Sequence, residues 1–95
     1  MQIKFSTSYQ RTYKKLIKKN PNLINIIAET IKIFEINKND PRLHFKHIIC
    51  KFDKYRYSIR VINTQYRILM TCINNICEFR FILDHDDYQR KNKDC

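Results

Sequence analysis

The spacing of hydrophobic positions changes period along the chain, and each change marks an element. IKF near the N-terminus reads as a short strand. Tyr9, Tyr13, Leu16 and Ile17 then recur at i, i+4, i+7 and i+8, one apolar stripe on a helix for which Ser8 is a candidate cap. Asn20-Pro21-Asn22 stops that helix, because a proline ring clashes with the preceding turn. A second helix is predicted from about Leu23 to Ile36: Leu23, Ile27, Ile31 and Phe34 share one face, widened by Ile26 and Ile33. Asn37 to Pro41 ends it, so the two helices form a hairpin.

No period holds from Arg42 to Tyr55. Beyond that the period is 2: Tyr57, Ile59 and Val61 alternate with Ser58, Arg60 and Ile62. Asn63-Thr64-Gln65 turns the chain, and residues 66–73 and 76–83 form a hairpin about Asn74-Asn75, a dipeptide that tolerates the positive φ angles of a type I′ turn. That turn places 72 opposite 77, 70 opposite 79, 68 opposite 81 and 66 opposite 83. Strict alternation sends Tyr66, Ile68, Met70, Cys72, Cys77, Phe79, Phe81 and Leu83 toward the helices. It leaves Arg67, Leu69, Thr71, Glu78, Arg80, Ile82 and Asp84 on an uncovered face, which Arg60 shares if Ile59 and Val61 face the helices. The expected fold class is α+β: an N-terminal strand, a two-helix hairpin, then a three-stranded antiparallel sheet packed on the helices. Residues 1–95 form a single domain, with 86–95 a flexible tail.

Composition adds a partner class. The formal net charge is +10, and a domain this basic expects a polyanion. There is no glycine, so Asn, Asp, Pro and Lys must make the turns. No apolar run approaches the roughly 20 residues that span a bilayer, and MQIKFSTSY lacks the apolar stretch of a signal peptide. The expectation is a cytoplasmic protein with no membrane partner. Cys50, Cys72, Cys77 and Cys95 should then be reduced, with Cys72 and Cys77 facing each other across the hairpin as small buried hydrophobes or, under oxidation, as a disulfide. Their spacing matches no zinc pattern, and His44 and His47 have no carboxylate or cysteine set to complete a metal site, so no metal or small-molecule cofactor is expected.

The order of elements carries a resemblance. FSTSYQRTYKKLIKK, 47-HIICKFDKYRYSIRV-61, YRIL and 85-HDDY-88, in that order, resemble the RelE/ParE superfamily of toxins from toxin–antitoxin modules over nearly the whole chain. Lys51 and Asp84 stand where many members have glycine. The resemblance implies, for the ribonuclease branch, metal-free cleavage of mRNA in the ribosomal A site by attack of a 2′-hydroxyl on the adjacent 3′-phosphate. It also implies inhibition by an acidic cognate antitoxin. A ParE-like gyrase poison and a catalytically degenerate member are the alternative functions.

The residues that would do this work are few. Arg67 at the YRIL position matches phosphorane stabilisation and Arg60 phosphate binding, since a guanidinium stays charged and offers a planar fork of donors. His85 is the candidate acid or base, imidazole being able to move protons near neutrality. It reaches the arginine face only if the last strand ends or bulges near Asp84. Tyr88 matches a terminal tyrosine that stacks on a base or joins proton transfer. Lys14, Lys15, Lys18 and Lys19 on the first helix, with Arg80 and His47, are expected RNA or ribosome contacts.

Overall fold

The computed structural model describes residues 1–93 and 95. Two helices lie on one face of a five-stranded sheet: α1 (Thr7–Lys19) and α2 (Leu23–Ile36). The strands are β1 (Gln2–Phe5), β2 (Lys46–His47), β3 (Arg56–Arg60), β4 (Arg67–Ile73) and β5 (Ile76–Leu83), in spatial order β1-β5-β4-β3-β2. A third helix, α3 (His85–Lys93), follows directly. The α+β class, the helical hairpin and the antiparallel β3-β4-β5 core match the sequence reading, and two flanking strands extend the sheet. β1 runs parallel to β5, and the two-residue β2 runs antiparallel to β3.

Ser6 rather than Ser8 caps α1, its hydroxyl accepting the Tyr9 N–H at 3.0 Å. The α2 limits agree with the predicted ones. Its buried residues are Leu23, Ile27, Thr30 and Phe34. Thr30 is the one the apolar pattern missed. Its hydroxyl donates to the Ile26 carbonyl at 2.7 Å and accepts the Ile62 N–H at 3.1 Å, tying α2 to the turn after β3. Asn74 and Asn75 have φ of 50° and 66°, and Cys72 pairs with Cys77 as expected.

Beyond Met70 the expected register fails. Met70 faces Phe79, but Leu69 faces Phe81, Ile68 faces Ile82 and Arg67 faces Leu83, so Arg80 is an extra residue in a bulge. Parity inverts past it. Ile82 enters the core under the helices, while Phe81 and Leu83 turn to the arginine face, the reverse of strict alternation. The cause lies at the edge of β5. β1 ends opposite Phe79, and beyond it α1 supplies the partners: the Ser6 hydroxyl donates to the Arg80 carbonyl at 3.3 Å, and the Ile82 N–H donates to the Thr12 hydroxyl at 3.1 Å.

The inverted face gains apolar residues and with them a cover. Residues 86–95, expected as a tail, are helical through Lys93, and Tyr88 is only 3% exposed. Asp84 starts α3 by accepting the Asp87 N–H at 2.8 Å, and Asp86 and Asp87 suit its positive end. Cys72 and Cys77 form a disulfide across the β4–β5 hairpin, the alternative open for that pair, and Cys50 and Cys95, expected as thiols, form a second, from the loop after β2 to Cys95. Among the described residues no helix is long and apolar enough to cross a membrane.

Candidate functional site

Arg60 and Arg67 face each other directly across β3 and β4. Both are half-buried, and no carboxylate pairs with either among the described residues. Among the described residues the Arg67 side chain makes one hydrogen bond, Nη1 donating to the Tyr66 carbonyl at 3.4 Å. The buried Nε of Arg60 has no acceptor among the described residues. Burial, and then the positive charge of Arg60, push the Arg67 guanidinium below its ordinary pKa. Two like charges held together against their electrostatic interest form a site that an anion would relieve.

α3 supplies the third member. The Tyr88 ring lies with the Arg67 guanidinium 5.8 Å from its centroid and the Lys46 ammonium 5.9 Å from it. Below it, the Tyr88 and Ser58 hydroxyls are hydrogen-bonded at 3.0 Å in a buried setting. Tyr88 is therefore a docked aromatic close to two cations, on a helix where residues 86–95 were expected to form a tail. His85 is the first residue of α3, exposed and without a hydrogen bond among the described residues. The bulge and the end of β5 at Leu83 remove the obstacle that alternation had set for it. Asp84 is committed to capping the helix and does not orient its ring.

The remaining expected contacts do not form one footprint. His47 pairs with Tyr57, whose ring stacks on Phe45 with centroids 5.0 Å apart, so it lies on the helix side of the sheet, away from the arginines. Its Nε2 donates to the Lys54 carbonyl at 2.8 Å, which fixes the tautomer and suits a structural role. The preceding residue, Lys46, pairs with Ser58 and takes the arginine face instead. Arg80 is exposed at the bulge and held by Glu78 at 2.8 Å. The helix-one lysines are exposed but diverge: Lys14 borders an apolar groove between α1 and α2, whereas Lys15 and Lys19 line a cleft with Asp84 and Asp87 at the start of α3.

Ser58 and Lys46 are the members that sequence reasoning missed. Ser58 was legible, two residues before Arg60 on the same strand and therefore on the same face. Lys46 was not, because a two-residue strand carries no period.

No protein-family model and no curated protein matches the chain. Solved structures do. YafQ from E. coli strain BL21(DE3) superposes with a TM-score of 0.72 at 11% identity, covering 92% of this chain and 96% of that one. The E. coli DinJ-YafQ toxin–antitoxin complex gives 0.72 at 14% identity, over 90% and 93%. The YoeB-YefM complex from Staphylococcus aureus gives 0.66 at 20% identity, over 90% and 97%. The chain has the RelE-like toxin fold that its motifs resemble.

Proposed function

We propose that this RelE-fold chain is the toxin of a toxin–antitoxin pair and cleaves mRNA on the arginine face of its sheet. The observation that supports it most directly is the facing pair Arg60 and Arg67, half-buried, without a carboxylate partner, on the fold of the YafQ and YoeB toxins.

The chemistry needs four tasks. The 2′-hydroxyl of the target nucleotide attacks its own 3′-phosphate and loses a proton. The 5′-oxygen leaves and gains one, and the product is a cyclic phosphate. Arg60 holds the phosphate in the ground state. Arg67 donates to the phosphorane oxygens as negative charge grows there, a role in which losing one donor costs ~10²–10³ in rate. The neighbouring positive charge and partial burial raise that contribution, because an anion there is poorly served by solvent. His85, exposed at the start of α3, protonates the departing 5′-oxygen, and solvent water takes the proton of the 2′-hydroxyl. Tyr88, docked on Ser58 beside Arg67, becomes a stacking ring for a base once it is released. The nucleophile comes from the RNA itself, so no metal or organic cofactor is called for.

The partners follow from charge. An excess of +10 suits RNA and the ribosome, with Lys15 and Lys19 as phosphate contacts, and it suits an acidic antitoxin that keeps the protein inactive in the cytoplasm. Expression of the chain in growing cells, with Arg67→Ala beside it, is the test. Rapid translation arrest with cut mRNA, abolished by Arg67→Ala in a protein that still folds, is expected. An SOS response with DNA breaks would put a gyrase poison in its place, and unaltered growth a catalytically degenerate member.

A further inference from the structure

We propose that the Cys50–Cys95 disulfide is a thiol-reducible latch that holds α3 over the arginine face and limits access of RNA to it. The gating half of this rests on the ribonuclease reading above. The latch itself rests only on how α3 is attached.

α3 has nine residues, too few for an isolated helix to persist in water, and Tyr88 is its single buried side chain. Away from its covalent tie it is held by the Tyr88–Ser58 hydrogen bond and by Lys91, whose ammonium lies 4.3 Å from the Phe81 ring centroid. Beyond Lys91, the covalent tie among the described residues is at Cys95. Its partner Cys50 is 45 residues away in sequence, so the bond fastens the free end of the helix to the loop beside β2 and β3. Arg56 of β3 reinforces this point, Nη1 donating to Cys95 Sγ at 3.1 Å.

The place α3 occupies is what makes the tie consequential. With Tyr88 docked, its ring fills the space between Lys46 and Arg67, where a nucleotide base would otherwise lie beside its phosphate. Freed at Cys95, the helix is left with the Tyr88 and Lys91 contacts and can lift from the sheet.

The redox step balances with a dithiol reductant. Cys50 is 5% exposed and Cys95 is more open, so the reductant thiolate attacks Cys95 Sγ and Cys50 leaves as thiolate. The second thiol of the reductant then displaces Cys95. In sum the protein takes two electrons and two protons, and the reductant becomes a disulfide. Closure is the reverse, driven by a disulfide oxidant. Cys72–Cys77 links two residues of the β4–β5 hairpin, so the test can remove it without untying α3.

The test uses the full chain as Cys72→Ser/Cys77→Ser, oxidised or treated with dithiothreitol, and the same background with Cys50→Ser as a permanently open form. Hydrogen exchange of residues 85–93 should accelerate on the order of tenfold on reduction, as the tethered end loses its effective concentration. The Cys50→Ser form should exchange fast with or without reductant. Affinity for a short single-stranded 2′-O-methyl oligouridine, which cannot be cleaved, should rise on the order of tenfold over the same step. Equal exchange in both redox states overturns the latch, even where mRNA is cut. Faster exchange with unchanged or weaker oligouridine binding overturns the gating. Faster exchange in a chain that neither binds nor cuts RNA supports the latch and removes the ribonuclease reading alone.

Discussion

Replacing Arg60 by methionine should make the protein more stable and a poorer RNA binder at once. Methionine keeps most of the unbranched stem and its packing while removing the charge. In the folded chain the buried Arg60 Nε has no acceptor among the described residues, and an unsatisfied buried donor costs ~1–3 kcal/mol. The guanidinium also faces Arg67 across the strands, and like charges directly opposite cost up to ~1 kcal/mol. Both groups are half-buried, so water screens part of each term, and a net gain of ~1 kcal/mol is the working figure. For a domain of this size that raises Tm by ~4–8 °C. Thermal unfolding by circular dichroism at low salt measures it. In parallel, the salt dependence of oligouridine binding should lose ~0.7 from its log–log slope, the loss of one phosphate contact on a single strand. A variant that melts at or below the parent temperature with an unchanged salt slope would refute the idea that this face stores repulsion for use on an anion.

Tyr88→Phe leaves the ring between Lys46 and Arg67 but strands the buried Ser58 hydroxyl, and should cost ~1 kcal/mol in urea unfolding. Adding Ser58→Ala should recover most of that loss, and a double variant as weak as the single one would argue against the hydroxyl pair. Thr30→Val preserves shape but orphans the Ile62 N–H, so a loss of ~1–3 kcal/mol is expected, with faster exchange of the Ile62 amide as the local sign. The hydrogen bonds from Arg42 hold the Asp40 carboxyl down at about 2. A depressed folded-state pKa stabilises above the unfolded value and is lost as pH falls through the folded one. The difference in urea midpoint between the parent and Asp40→Asn should therefore shrink between pH ~4 and ~2 and stay constant above that window.

Much of the molecule was legible because its cues are local. The stripes on α1 and α2, the breaker at Asn20-Pro21-Asn22 and the Asn74-Asn75 turn each act over a few residues, and the structure follows them. That Arg60 and Arg67 share a face was legible too, from alternation along their strands, whereas their direct pairing comes from the structure. Phe81, Leu83 and Ile82 were misplaced because nothing in their own pattern announces a bulge. The extra residue at Arg80 is stabilised by Ser6 and Thr12, 74 and 70 residues away from the groups they serve. That single inversion exposes Phe81 and Leu83 beside Leu69, and α3 folds back over them instead of trailing as a tail.

Sequence alone thus determined the order and type of the central elements, the charge and the shared face of the two arginines. Each is set by chain periodicity or by a turn spanning a handful of residues. Tertiary structure decided which face the last strand presents, that Tyr88 is buried against Ser58, that Lys46 rather than His47 joins the arginines, and that Cys50 meets Cys95. Those outcomes depend on partners brought together from distant parts of the chain, where a backbone group left unpaired or an apolar side chain left in water costs more than any local preference supplies.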